Sequence, residues 1–140
     1  MKQEIICTGF GWGTLGFLNY INNDLYNVTV ISDKPYFTYT PLLAQAIFSD
    51  TILNNITIHF SKIINNNTTF INGIICNIDF LKKENLLKDK IINYKMLLMS
   101  HGATINTYGI KGVDTNNVHF LKTYQDVIRI RQSLQNIEKK

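Results

Sequence analysis

The strongest chemical signal in this 140-residue sequence is Gly9-Phe10-Gly11-Trp12-Gly13-Thr14. Glycines at this spacing let a backbone come close to a pyrophosphate. A helix that starts among them aims amide N–H groups and the positive end of its dipole at the same anion. The chemistry on offer is capture of a dinucleotide through its diphosphate, with no nucleophile required of the loop. Other reactive groups are sparse. Cys7 and Cys76 belong to no Cys-x-x-Cys or Cys/His cluster, so no metal site is expected, and both read as small, buried and inert. His101 follows an apolar run and reads as packed or hydrogen-bonded; His59, on an expected helix, and His119 read as structural or surface residues. Trp12 reads as a packing plug over the turn, and no Ser/His/Asp or paired-carboxylate arrangement can be argued from spacing.

Such a loop needs a strand before it and a helix behind it. Glu4 to Thr8 reads as a short buried strand, Thr14 to Ile21 as a helix and Val28 to Ser32 as a second strand. Strand, glycine turn, helix, strand is the opening of a dinucleotide-binding unit. Beyond it, Asp33 to Pro41 is a polar-aromatic loop with Pro41 suited to a first helical position, Thr40 as its cap and a short helix over Leu42 to Phe48. Ile56, Phe60, Ile63 and Ile64 fall on one face of a helix over Asn54 to Ile64. Thr69 to Ile78 reads as a third strand bulged at Gly73. A hairpin follows across Asp79 to Lys90, with Lys82 to Asn85 as its polar turn, and then a buried strand over Ile91 to Ser100. Val118 to Leu121 reads as one more short strand. Thr123 to Lys140 is the clearest helix, opened by Thr123 and Asp126. Its apolar stripe is Val127, Ile130, Leu134 and Ile137, and Lys139 and Lys140 sit at its negative end. The expected fold is α/β: a Rossmann-like parallel sheet with flanking helices and a small β-hairpin, in one domain spanning residues 1–140.

Composition narrows the class. With 45% hydrophobic and 17% charged residues the chain is globular. Its net charge of +4 forms no basic stripe interleaved with aromatics, so nucleic-acid binding is not expected. No window approaches the roughly 18–20 apolar residues of a membrane-spanning helix. No signal peptide or presequence precedes the first strand, so the protein is expected to be soluble or peripheral.

Several separated motifs then agree in order. Gly9-x-Gly11-Trp12-Gly13, Tyr26 to Ser32, and Tyr36-Phe37-Thr38-Tyr39-Thr40-Pro41-Leu42-Leu43 resemble the opening of type II (alternative) NADH dehydrogenases, flavoproteins akin to the pyridine nucleotide-disulphide oxidoreductases. His101 to Val113 is similar to that family's A-V-G-A-x-T-N-T-F-x-I-x-G-V segment, and His119 to Arg131 to a later stretch. The resemblance implies a truncated FAD/NAD(P)-binding domain with FAD as cofactor. Gly9, Gly11, Trp12, Gly13 and Thr14 would cradle the FAD pyrophosphate. Ser32, with Asp33 assisting, would meet the adenosine ribose. Thr40, Pro41 and Leu42 would approach the flavin end, backbone near Ile75 (Ile74 to Cys76) would face the adenine, and Gly102 and Ala103 would line the flavin. No catalytic residue is implied.

The departures are specific. Thr14 stands where the third fingerprint glycine or a small substitute belongs and is expected to crowd the helix–strand contact. Ser100-His101 replaces Ala-Val, and Ile105 replaces a threonine. Family members are several times longer, with a second glycine-fingerprint domain for NADH, a later Gly-Asp segment closing the flavin pocket, and a C-terminal membrane-associating region with the quinone site. None of these is matched here. The resemblance therefore implies the FAD-binding portion of an NADH:quinone oxidoreductase, inactive alone. The alternative is a non-catalytic accessory or scaffold subunit, a pseudoenzyme, in a larger mitochondrial assembly. Either reading expects a protein partner over the face that the second domain would cover, membrane contact only through partners, and a mitochondrial, inner-membrane-associated location.

Overall fold

The computed structural model describes residues 2–138. In chain order the elements are β1 (Gln3–Thr8), α1 (Trp12–Tyr20), β2 (Tyr26–Ser32), β3 (Tyr36–Thr38), α2 (Leu43–Ala46), α3 (Asp50–Asn55), β4 (Thr57–His59), β5 (Thr68–Asn72), β6 (Ile75–Asp79), β7 (Glu84–Leu87), β8 (Ile91–Asn93), β9 (Met96–Met99) and α4 (Tyr124–Glu138). They fall into two compact units, Met1–Phe37 with His59–Gly102, and Thr38–Ile58 with Ala103–Lys140.

The first unit is built on a four-stranded parallel sheet in the order β5-β2-β1-β9. Strand alternation sorts its side chains onto two faces. Ile5, Cys7, Val28 and Val30 pack beneath Leu18 of α1 together with Phe70, Met96 and Leu98. Ile6 and Ile31 face the other way, against Leu87, Ile71, Ile92 and Leu97. The second face is covered by the antiparallel sheet β6-β7-β8. Strands buried on both faces explain why β1 and β2 read as near-continuous apolar runs. Each fully buried Val or Ile here contributes roughly 1.5–3 kcal/mol of transfer free energy.

Several expectations change at this level. The strand expected over Thr69 to Ile78 is two strands in two different sheets, β5 and β6. Gly73 lies at the break between the two sheets, not at a bulge within one strand, and a Cβ there would meet Leu87 Cδ2 at 2.7 Å. The run Ile91 to Ser100 divides likewise into β8 and β9. The hairpin is present, extended by β8 into a three-stranded meander; its turn is residues 80–83, with Glu84 and Asn85 already in β7. Cys76 is exposed, not buried: the pairing of β6 with β7 slips between Ile75 and Asn77, and the irregularity leaves Cys76 outside the register, facing outward. No helix spans Asn54 to Ile64. Ile56 is buried with Leu43 and Val127 in the second unit, whereas Phe60 and Ile63 pack in the core of the first. His59 accordingly ends a strand, β4, and is exposed.

In the second unit, Leu43, Ala46, Ile56 and Val127 form the core. Pro41 lies in a 3-10 turn, Thr40–Leu42, which starts at Thr40 itself; Tyr39 holds the cap position, so Thr40 is not the cap. Ser49 caps α3, its hydroxyl accepting from Ile52 N–H at 3.3 Å. Arg131 donates to the carbonyls of Ala46 and Ile47 at 3.1 Å each and pairs with Asp50. These contacts satisfy carbonyl groups at the C-terminal end of α2. Of the apolar stripe on α4, Val127 is fully buried while Leu134 and Ile137 are exposed. Lys139 and Lys140 lie outside the described residues. Residues 101–123 contain turns but no regular element, so Val118 to Leu121 is not a strand.

Candidate functional site

In an open parallel sheet, ligands bind beyond the carboxyl ends of the strands. Here that edge gathers Gly9 after β1, Ser32 at the end of β2, Gly73 after β5 and Ser100 after β9. Gly9 N–H bonds Ile31 O at 2.8 Å, Gly73 N–H bonds Ser32 O at 2.9 Å and Ser100 N–H bonds Thr8 O at 2.9 Å. Gly9 has φ +90°, and a Cβ there would lie 2.6 Å from His101 Cα and 2.7 Å from Ser100 O. Only glycine fits. Gly13 is similarly tight, with its Cβ position 2.9 Å from Ser100 Cβ. Gly11 is different: its φ is −108° and a Cβ would meet only Ser100 O, at 3.8 Å, an ordinary contact. No side chain caps α1, whose N-cap is Gly11, and no acidic residue stands in its first turn. Together these features make a cradle that an anionic diphosphate fits.

Thr14 does not crowd the helix against the sheet. It is fully buried, its hydroxyl donates to Gly9 O at 2.7 Å, and its Oγ1 lies 2.5 Å from Ser100 Oγ. Ser100 Oγ is also 3.1 Å from Thr8 O. The two departures, at 14 and at 100, meet each other and tie the first turn of α1 to the end of β9. Ser100 is the site residue whose role the linear sequence hid, since the contact spans 86 positions.

His101 is exposed and hydrogen-bonded through Nδ1 to Thr8 Oγ1 at 3.4 Å, the bonded role expected of it. Trp12 packs edge-on against Phe37 with ring centroids 4.9 Å apart, while Phe10 meets Phe70 at 5.9 Å. Ser32 is buried, and its hydroxyl accepts from Lys34 N–H at 3.3 Å; Asp33 is exposed. Ile75 is the first residue of β6, in the antiparallel sheet rather than on the third parallel strand. Gly102 has φ +75° with open space around it. Thr40, Pro41, Leu42 and Ala103 belong to the second unit, the first three forming its 3-10 turn. Burial pushes the Cys7 thiol up to about 12, so it stays protonated and unreactive. Among the described residues no group of three or more His, Cys, Asp or Glu side chains could hold a metal ion. No helix among them is long and apolar enough to cross a membrane. A cavity of about 330 Å3 beside Glu4, Thr29, Tyr94 and Lys95 shares no residue with the cradle.

No protein-family model matches the chain. Its homologues are type II NADH–ubiquinone oxidoreductases, similar to it along almost its full length. A probable NADH dehydrogenase of Dictyostelium discoideum is 32% identical over 142 residues, covering 95% of this chain and 31% of the relative. The mitochondrial external alternative NAD(P)H-ubiquinone oxidoreductase B2 of Arabidopsis thaliana is 30% identical over 146 residues, covering 95% of this chain and 25% of the relative. Among solved structures, NDH2 from Plasmodium falciparum in complex with NADH superposes with a TM-score of 0.86 at 27% identity, covering 99% of this chain and 30% of that one. The chain thus spans about a quarter to a third of its relatives' length, at their N-terminal end. The Rossmann-like fold expected from the sequence is the one observed.

Proposed function

From its homology to the N-terminal part of type II NADH–ubiquinone oxidoreductases, we propose that this chain is the FAD-binding portion of such an enzyme. The single observation that carries the reading is the cradle at the carboxyl edge of the sheet, where Gly9 admits no side chain and α1 begins without a side-chain cap. The main chain of Gly11 to Thr14 would hold the FAD diphosphate. Ser32, with Asp33 beside it, would meet the adenosine ribose, and backbone near Ile75 the adenine. Thr40, Pro41, Leu42, Gly102 and Ala103 would serve the flavin end. When bound, FAD supplies hydride acceptance from a nicotinamide and two-electron delivery to a quinone. The residues here bind and orient; none is assigned a proton-transfer role. An NADH-binding domain, on the same chain or another, is required for turnover, so these residues alone do not oxidise NADH. The relatives' mitochondrial names support a mitochondrial location for this chain as well.

The test is titration of the purified chain with FAD, followed by quenching of flavin fluorescence and by the shift in melting temperature. Saturable uptake, weakened in a Gly11→Ala variant that still folds, is the expected result. A chain that takes up no flavin, alone or with a candidate partner, would rule the reading out.

A second reading is a non-catalytic accessory subunit that keeps the fold for its surface. It is supported by the second unit, where Tyr108, Ile110 and Ile137 stand exposed. Exposed apolar side chains of this kind favour a protein partner. Isolation in a flavin-free assembly supports this reading, and NADH oxidation by the chain with FAD and a partner that supplies the NADH-binding domain defeats it.

A further inference from the structure

The turn between β6 and β7 carries two adjacent apolar side chains that nothing in the first unit covers. Phe80 is 63% exposed and Leu81 is 97% exposed. The turn is not loose. The Asp79 carboxylate accepts from the N–H groups of Leu81 at 3.0 Å and Lys82 at 2.8 Å, and Tyr94 N–H donates to Lys83 O at 2.9 Å. That last bond brings the end of β8 alongside the turn, so exposed Lys95 joins exposed Lys82 and Lys83 there. Three carboxylates accompany the three ammonium groups: Asp79, Glu84 and the exposed Glu4, which neighbours Lys95 where β1 runs beside β9. Asp79 spends one oxygen on the turn amides, and Glu84 is half-buried at the start of β7.

We propose that this hairpin tip docks on an anionic lipid surface, with Phe80 and Leu81 entering the headgroup boundary and Lys82, Lys83 and Lys95 meeting lipid phosphates and carboxylates. A protruding pair of apolar side chains beside lysines suits a soft, negatively charged interface better than a protein groove. Apolar burial and electrostatic attraction act together in such binding. The proposal is independent of flavin binding and departs from the expectation of membrane contact only through partners.

The experiment is co-sedimentation of the full chain with vesicles of phosphatidylcholine alone or mixed with phosphatidylserine. The chain is expected to sediment with the mixed vesicles, far less with phosphatidylcholine alone, and to be released as salt rises. Lys82→Glu with Lys83→Glu should weaken binding to the mixed vesicles by about 25-fold or more, at roughly fivefold per lysine removed. Phe80→Ser with Leu81→Ser should weaken it at least about tenfold. If that pair lowers the melting temperature, Leu81→Ser alone is the variant to use, and it should still weaken binding severalfold. The proposal is overturned if the wild-type chain stays in the supernatant with both vesicles, or if the apolar variants sediment like wild type. Light scattering that shows a dimer dissolved by Leu81→Ser also overturns it, making a second copy the occupant.

Discussion

Thr14 and Ser100 test whether two residues that look like damage in the sequence support each other in the fold. Each hydroxyl has a carbonyl of its own within reach, Gly9 O for Thr14 and Thr8 O for Ser100, besides the contact between them. Replacing either by Ala removes one hydroxyl and leaves the other still able to donate, so each single change should cost about 0.5–1.5 kcal/mol. Because the two share one network, the double variant should cost less than the sum, with a coupling of about 0.5 kcal/mol or more in urea unfolding. Strict additivity would show that the contact carries no energy. The glycines divide differently. Gly9→Ala puts a methyl into the Ser100–His101 backbone at positive φ and should destabilise the chain by roughly 1–3 kcal/mol, with flavin uptake lost as a consequence. Gly11→Ala meets nothing closer than 3.8 Å, so its melting temperature should stay close to wild type. What it removes is the close approach of ligand to backbone, and its expected signature is weaker FAD binding in a protein that remains folded. Equal loss of stability in the two variants would contradict this division.

The elements show which parts of the chain announced themselves. At the start of α4, Thr123 and Asp126 form the reciprocal cap that their spacing predicted. Asp126 Oδ2 accepts from Thr123 N–H at 2.8 Å and Lys122 N–H at 3.1 Å, and Asp126 N–H reaches Thr123 Oγ1 at 3.2 Å. Burial pushes the Asp126 carboxyl up. The Thr123 hydroxyl, the two amides and the Arg129 guanidinium outweigh that and hold it below the usual carboxylate range. A carboxyl with a lower pKa folded than unfolded stabilises the fold fully above its unfolded value, about 3.9, and that stabilisation fades as pH falls through the folded value. Asp126→Asn should therefore melt below wild type at neutral pH, by about 1 kcal/mol. The gap should narrow as melts are repeated below about pH 4. A gap independent of pH would mean that the charge is irrelevant. Local signals of this kind, caps and the glycine loop, were legible because cause and effect lie within a few residues. The βαβ opening and its fold were legible for the same reason. The reading failed where a pattern was cut by sheet membership: Thr68–Asn72 and Ile75–Asp79 look like one strand until Leu87 of β7 comes within reach of Gly73. Ile56 and Phe60 share a helical spacing by coincidence, since each packs against the core of a different unit. Cys76 appeared apolar by its neighbours and is outward because the pairing of β6 with β7 slips at that position.

For the whole molecule, the question is how much of a dinucleotide so short a portion can hold. The cradle, Ser32 and Gly73 all belong to one compact unit and stand at one edge of one sheet, bonded strand to strand. Under the proposed reading the cradle and Ser32 meet the adenosine diphosphate half of an FAD molecule. The flavin half is assigned under that reading to Thr40, Pro41 and Leu42, which form a 3-10 turn, and to Gly102 and Ala103, which lie in residues 101–123 without a regular element. Residues fixed by sheet hydrogen bonds are preorganised, and binding to them costs little ordering; a loop that must be ordered by its ligand returns part of the contact energy as lost entropy. Affinity should therefore reside in the adenosine diphosphate half. A ligand at one hundred times its dissociation constant stabilises a protein by about 2.7 kcal/mol, which a melting curve resolves easily. ADP and FAD should raise the melting temperature by nearly the same amount when each is at that multiple, and their dissociation constants should agree within about tenfold, a difference of about 1.4 kcal/mol. Riboflavin alone should give no shift. If FAD binds several hundredfold more tightly than ADP, the flavin segment is preorganised in this chain after all, and the residues after Gly102 hold more of the cofactor than their lack of regular structure implies.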